Sequence, residues 1–373
     1  MIDTVVLSIP VDKINITNYE LFSPSARGLF EPPYYKLGRR GYFECFLNPK
    51  IEETNLGYHP RFTLSKRMSN GGFSITLKIE LSLPKLLYGN NFNELEDCDL
   101  ESIVQRLHFE LLSAGIIVDI DNVLNARVTG IHYGKNIILT NISVTALVVR
   151  SMGHLNITKR LDAAHTDFRN DGHAIRYHTN HYELTFYDKI KDLEQSKISE
   201  KRAIETDNNI QLNLFSSKTL QTRPEILRME CRLNNTRNIK HILTACNINI
   251  KDLTLQTLFK KEFARTILQY FWNKYVTPSM DIIAMTKQDP DIIYIKLISA
   301  GLKESEALKC CGALILIKQI GIRGFKQLLT PNGNTYARLC KTIQQANFDD
   351  NHMYSTFLYI KQCIDDFKSI KNY

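Results

Sequence analysis

Apolar and polar residues alternate with a period of two in several stretches of the first 240 positions, and that period predicts strands. Residues 2–10 (IDTVVLSIP) read as an opening strand. Residues 61–67 and 73–83 read as a hairpin turning around Ser69, Asn70, Gly71 and Gly72. In its second arm, Phe73, Ile75, Leu77, Ile79 and Leu81 share one face, while Ser74, Thr76, Lys78, Glu80 and Ser82 share the other. Residues 125–139 predict a strand pair or one bent strand, with His132 and Lys135 beside glycines that permit close approach of a ligand. The stretch 181–190, HYELTFYDKI, places Tyr182, Leu184 and Phe186 on one face and Glu183, Thr185, Tyr187 and Lys189 on the other. Residues 226–233, ILRMECRL, align Arg228, Glu230 and Arg232.

Helical spacing governs residues 100–114, with Gly115 as the stop, and the charged run 191–204. Residues 142–150 are mixed and compatible with a helix. Residues 23–49 and 207–224 carry loop signals. Beyond about residue 240 the texture turns helical: 251–275, 290–299, 305–320, an interruption at Gly321, then 322–329 and 335–346. Short helices separated by glycine, with Arg323, Lys326, Arg338 and Lys341 exposed, suit either a helix-turn-helix domain or a plain helical bundle. The expected fold is α+β: a mostly antiparallel sheet with flanking helices over residues 1–240, and a helical domain over 241–373.

Composition narrows the setting. An apolar share of 43% in 373 residues supplies a core without disulfides or metals as staples. A net charge of +8 suits a nucleic-acid partner without requiring one. The eight cysteines are scattered with no Cys-x-x-Cys, which disfavours a zinc finger and fits reduced thiols. The start lacks a basic-then-apolar leader, and no apolar run reaches the roughly 18 residues of a membrane span. A cytoplasmic protein with no membrane partner is expected.

The candidate chemistry centres on Tyr187. A phenol on a polar strand face, two residues from Lys189, has the makings of a nucleophile toward a phosphodiester, with the lysine stabilising the added negative charge. A strand tyrosine serves equally as an amphipathic packing residue. Glu80, His132 and Glu230 sit on polar faces of separate strands, a mixed oxygen and imidazole set suited to Mg²⁺ or Mn²⁺. Arg228 and Arg232, flanking Glu230, make either an ion-pair ladder or a phosphate clamp. Arg39 and Arg40, interleaved with Tyr34, Tyr35, Tyr42 and Phe43, suit stacked bases and held phosphates, or an irregular loop with packed tyrosines. Lys85 and Lys135 are further candidate DNA-binding cations. His165, His173, His178 and His181 form a tract whose spacing fits no standard metal pattern.

Four segments, MIDTVVLSIP, IELSLPKLLYGNN, TFYDKIKDLEQ and LRMECRL, occur in the order and at the spacing of the II/X family of phage and plasmid replication proteins, which the first 240 residues resemble. The resemblance implies a rolling-circle replication initiator related to the HUH endonucleases. Such an enzyme is a metal-dependent nickase whose tyrosine, here Tyr187, attacks one DNA strand and stays on the 5′ phosphate. A 3′ hydroxyl is left to prime synthesis. The implied partners are single-stranded or supercoiled origin DNA and a host helicase and polymerase. Gly130 and His132 stand where the family often has an arginine and an acid, and no His-x-His pair occurs in the chain. A mobilisation relaxase or single-strand transposase would share the chemistry. A non-catalytic DNA-binding regulator would keep the fold alone, and a scaffolding protein would need none of these polar-face residues.

Overall fold

The computed structural model describes residues 1–30, 42–48, 57–69, 72–155, 166–169, 172–196, 224–329, 334–344 and 352–371. Its strands are β1 (Ile2–Pro10), β2 (Ile14–Ile16), β3 (Tyr42–Leu47), β4 (Arg61–Ser69), β5 (Gly72–Ser82), β6 (Ile116–Val118), β7 (Arg127–Ile138), β8 (Thr166–Arg169), β9 (Ala174–His178), β10 (Glu183–Asp188) and β11 (Ile226–Leu233). Nine of them form one antiparallel sheet in the order β3-β4-β5-β1-β7-β11-β10-β9-β8, and β2 pairs with β6 apart from it. The α+β class expected from the alternation is therefore observed.

The alternation also decides which side is covered. Leu184 and Phe186 of β10 stand opposite Cys231 and Met229 of β11, which neighbour Tyr133 and Lys135 of β7. Leu184, Phe186, Cys231, Met229 and Tyr133 are fully buried. Each large apolar side chain so enclosed contributes roughly 1.5–3 kcal/mol. Helices Thr145–Met152, Thr236–Ala245 and Lys261–Phe271 pack on these strands. In the last, Ala264, Ile267, Leu268 and Phe271 are buried at helical spacing, one stripe turned to the sheet. Phe271 meets Tyr182 at 4.5 Å between ring centroids, and the Tyr177 hydroxyl donates to the Met152 carbonyl.

Several local expectations change. Residues 42–47, within the stretch read as loop, form β3 on the edge of the sheet. Arg39, Arg40, Tyr34 and Tyr35 lie outside the described residues, as do residues 197–204, residues 207–223 and His165. The polar histidine tract supplies β8 and β9. Residues 125–139 contain one long strand, β7, with register shifts against β1. The tyrosine strand stops at Asp188, and Lys189 opens the helix Lys189–Ser196. The cause is local: the Asp188 side chain accepts the Lys191 backbone N–H at 3.0 Å, satisfying a helix-start donor.

Gly321 breaks the long helix Glu304–Leu328 with φ +73°, where the sequence placed its interruption. The boundary expected near residue 240 is not a break in packing. One buried apolar cluster runs from Met1 to Phe367, and it includes Phe271, Leu268 and Ile267 beside the sheet residues. The last segment returns to the sheet: the Glu94 backbone N–H donates to the Ile370 carbonyl, and Lys135 Nζ to the Lys368 carbonyl. Among the described residues no helix is long and apolar enough to cross a membrane.

Candidate active site

On the opposite side of β10 and β11, cross-strand register lines up charges instead of hydrocarbons. Glu183 stands opposite Arg232, Thr185 opposite Glu230, and Tyr187 opposite Arg228. On β7, the neighbours of Arg232, Glu230 and Arg228 are His132, Gly134 and Asn136. On the outer side, Arg176 and His178 of β9 stand opposite Thr185 and Glu183. A register shift between Ile2 and Thr4 of β1 accompanies a contact of Asp3 with Arg228.

The result is a chain of alternating charges running across the sheet. Asp3 Oδ1 lies 3.1 Å from Arg228 Nη2, and Arg228 Nε donates to Glu230 Oε2 at 3.2 Å. Arg232 Nε donates to Glu230 Oε1 at 2.6 Å, while Arg232 Nη1 lies 3.2 Å from Glu183 Oε1. Glu183 also meets Arg176 at 3.2 Å and His178 at 3.3 Å. Arg228 completes its fork by donating from Nη1 to Asn136 Oδ1 at 2.9 Å. Gly134 makes room for it: a Cβ there would stand 2.7 Å from Arg228 Nη2.

Tyr187 joins this chain through its hydroxyl, which donates to Glu230 Oε2 at 3.1 Å. The arrangement unites a phenol, a proton acceptor and two guanidiniums. Its electrostatics are those of a closed cluster. Burial, and then the Glu230 carboxylate, push Tyr187 well above the usual phenol value. Burial alone would raise Glu230, but Arg232, Arg228 and His132 outweigh it and hold the carboxyl well below its usual range. Burial also holds His132 below its ordinary value, against the pull of Glu230 at 3.6 Å, which leaves the imidazole neutral at pH 7. Exposure rises along the chain of charges, from 4% for the Arg228 side chain and 2% for Glu230 to 25% for Arg232. Of the two guanidiniums on Glu230, Arg232 is the one solvent reaches, with His178 and His132 also part-exposed at 33% and 20%.

Lys189 sits near Tyr187, yet not as the exposed strand neighbour the alternation suggested. It is buried at the helix start, with Nζ 5.7 Å from the Tyr187 ring centroid and 5.6 Å from that of Phe92. Burial, and then Arg228, lower its pKa to about 8.

The remaining sequence candidates part company. Glu80 faces the same side as His132 but lies on β5, with β1 between them, and its half-exposed carboxylate pairs with Lys78 at 3.3 Å. Two strand spacings alone separate them by roughly 10 Å. Lys135 points to the other side of the sheet, enclosed with Glu94, so its charge is spent inside the protein. Lys85 is buried, with Nζ 5.8 Å from the Tyr58 ring. The histidine tract disperses: His173 to Asp188, His178 to Glu183, and His181 stacked on His241.

The donor set does not fit a divalent ion as it stands. Both Glu230 oxygens already accept from guanidiniums, two fixed positive charges that oppose a cation at that carboxylate. Glu80 is held away on another strand. Among the described residues, no group of three histidine, cysteine or acidic side chains is placed to hold a metal.

Asp3, Asn136, Glu183 and Arg176 are the members the sequence reading missed. Asn136 and Glu183 were within reach, because alternation from His132 and Tyr187 puts them on the same face. Asp3 was not, since the register shift in β1 changes its facing.

Comparison of the chain with models of protein families, with curated proteins and with solved structures gave no match.

Proposed function

We propose that the chain is a DNA strand-nicking and rejoining enzyme that works through a covalent 5′-phosphotyrosine at Tyr187. A role as rolling-circle replication initiator, with origin DNA as substrate and host helicase and polymerase as partners, follows from the sequence resemblance. The observation that carries the chemistry is the Tyr187 hydroxyl on Glu230 Oε2, within the cluster of Arg228 and Arg232.

The step balances without a further reactant. The phenol passes its proton to Glu230 as its oxygen bonds to phosphorus. The bond from phosphorus to the 3′ oxygen breaks, and the proton passes from Glu230 to that leaving oxygen. Rejoining is the reverse. The guanidiniums hold the non-bridging oxygens, and no proton or bond passes through a metal.

Magnitudes say when this can happen. With ordinary pKa values, moving a proton from tyrosine to glutamate is uphill by about 8 kcal/mol, and the cluster widens that gap in both directions. A phosphate drawing Arg232 off Glu230 narrows it, because the carboxylate regains basicity as its positive neighbour leaves. Nicking thus waits for DNA.

The test is covalent capture. Wild-type chain incubated with a single-stranded or supercoiled origin substrate should acquire a 5′-linked DNA adduct, assayed with and without added Mg²⁺ or Mn²⁺. Tyr187→Phe should form none while keeping its DNA affinity within about twofold, since phenylalanine removes only the attacking oxygen. An adduct on Tyr187→Phe would refute the assignment. A second reading, a DNA-binding regulator without chemistry, draws on the 7% exposure of Tyr187 and the full pairing of Glu230. Wild-type chain that binds DNA and never forms an adduct would favour it.

A further inference from the structure

The arginines of the Tyr187 cluster each have a carboxylate partner. A second set of cations does not. At the other end of β7 a cleft of about 340 Å³ is lined by Arg127, Lys240, Lys251, Asp252, Leu253 and Thr254. Arg127, Lys240 and Lys251 are exposed. None of the three has an ion pair or side-chain hydrogen bond among the described residues.

The cleft is built, not draped. The backbone N–H of Val128 donates to the Leu253 carbonyl at 2.8 Å, and that of Leu255 to the Ala126 carbonyl at 3.1 Å. Between these two bonds Arg127 and Thr254 form a β-bridge, so the loop bearing Lys251 is fixed against the start of β7. Reciprocal hydrogen bonds between Thr254 and Thr257 lock the following helix start. Lys240 comes from the third side, on the helix Thr236–Ala245, whose first turn is capped by Asn235 accepting from the Asn238 N–H at 2.8 Å.

Among the described residues, three cations against the single carboxylate of Asp252 leave a net positive cleft that an anion would relieve. Among the described residues Leu253 is its one apolar side chain and no aromatic ring lines it, so it offers a base no ring to stack on. It reads charge, which is how proteins contact nucleic-acid backbones as distinct from bases.

We propose that this cleft binds the phosphodiester backbone of a DNA strand at a site separate from Tyr187. The identity of the partner as DNA rests on the function proposed above, whereas the anion site rests on the unpaired cations. Arg127 and Asn136 are nine residues apart on β7, so the cleft and the Arg228 end of the cluster are roughly 30 Å apart along the strand.

The test is the salt dependence of single-stranded DNA binding, measured by fluorescence anisotropy on the full chain. The triple variant Arg127→Gln, Lys240→Gln, Lys251→Gln should weaken binding at least tenfold near 0.1 M salt. The slope of log K against log salt should become shallower by about 2, three cations at about 0.7 each. The charge-keeping variant Arg127→Lys, Lys240→Arg, Lys251→Arg should retain the wild-type slope. An unchanged slope in the triple glutamine variant would overturn the proposal, as would an equal loss in the charge-keeping variant. The readout needs no chemistry. If the slope falls while wild-type chain forms no adduct, the cleft stands and the Tyr187 mechanism fails. If adducts form and the slope is unmoved, the cleft alone fails.

Discussion

Gly134→Ala is a one-methyl probe of the charge cluster. Gly134 lies on β7 opposite Glu230, and an added Cβ would meet Arg228 Nη2 at 2.7 Å, Cζ at 3.0 Å and Nε at 3.3 Å. Comfortable contact is about 3.5–4.0 Å, so the guanidinium must lift by nearly 1 Å. A surface arginine would do so freely. This one is fixed by Asn136 at 2.9 Å, Asp3 at 3.1 Å and Glu230 at 3.2 Å. Hydrogen bonds involving charged groups are worth about 1.5–3 kcal/mol each. Losing two of them, offset by about 0.4–1 kcal/mol gained from a less flexible unfolded chain, leaves a net loss of roughly 2–5.6 kcal/mol.

The matched control is Gly130→Ala on the same strand. There the new Cβ meets Val6 Cγ2 at 3.1 Å, an apolar neighbour with no hydrogen bonds to lose. Its cost should stay near 1 kcal/mol, within the usual range for mild overpacking. Urea denaturation followed by circular dichroism measures both, provided the slope with denaturant is unchanged. If Gly134→Ala unfolds within 0.5 kcal/mol of wild type or of Gly130→Ala, Arg228 is not held as described. The electrostatic account of Glu230 would then fall with it.

Two further outcomes concern the same frame. Lys189 has a pKa lowered to about 8 in the folded chain against an ordinary value near 10.5. Between these values the unfolded chain binds more protons, so Lys189 makes stability rise with pH across that window and lowers it below. Lys189→Met should therefore be the more stable protein at pH 7, with an advantage that shrinks by pH 10; a constant difference across pH 7–10 would refute this. Deleting residues 246–373 should leave a chain without a cooperative unfolding transition, because Ile267, Leu268 and Phe271 belong to the same buried cluster as the sheet. A folded, cooperative fragment 1–245 would show that the helices are a separate domain after all.

What was legible in the sequence is what local patterning dictates. β1, β5 and β11 follow from strict alternation, and the break at Gly321 follows from glycine's freedom at positive φ. β8 and β9 escaped because they are short and lie in a polar tract, their strand character coming from pairing, β9 with β10 and β8 with β9. β3 escaped because glycine and proline surround it. Lys189 was misplaced although a signal was present: an aspartate before KIKDLE is a helix-start pattern, and it outranked continued alternation. The site was half legible. Tyr187, Arg228, Glu230 and Arg232 share a face as alternation required, but which strands lie beside them is a long-range fact. That fact separated Glu80 from His132 and sent Lys135 to Glu94.

The two ends of β7 differ in a way that bears on the order of events in the proposed reaction. A guanidinium paired with a carboxylate presents a dipole to a distant phosphate, and its field fades faster than that of a lone charge. Arg228 and Arg232 are paired in this manner, whereas Arg127, Lys240 and Lys251 are not. At physiological salt the screening length is about 8 Å, so only unpaired, exposed cations steer a strand before contact. Of these two sites, the Arg127 cleft is therefore the one an approaching DNA strand would feel first. Reaching Tyr187 then requires a phosphate to displace Glu230 from Arg232, an exchange of one charge-assisted bond for another with little net gain. Tight binding and chemistry are thereby separated, the first set by the open cations and the second by Arg232 leaving Glu230. If the chain nicks DNA as proposed, it would hold many sequences and cut only where the strand can reach the arginine.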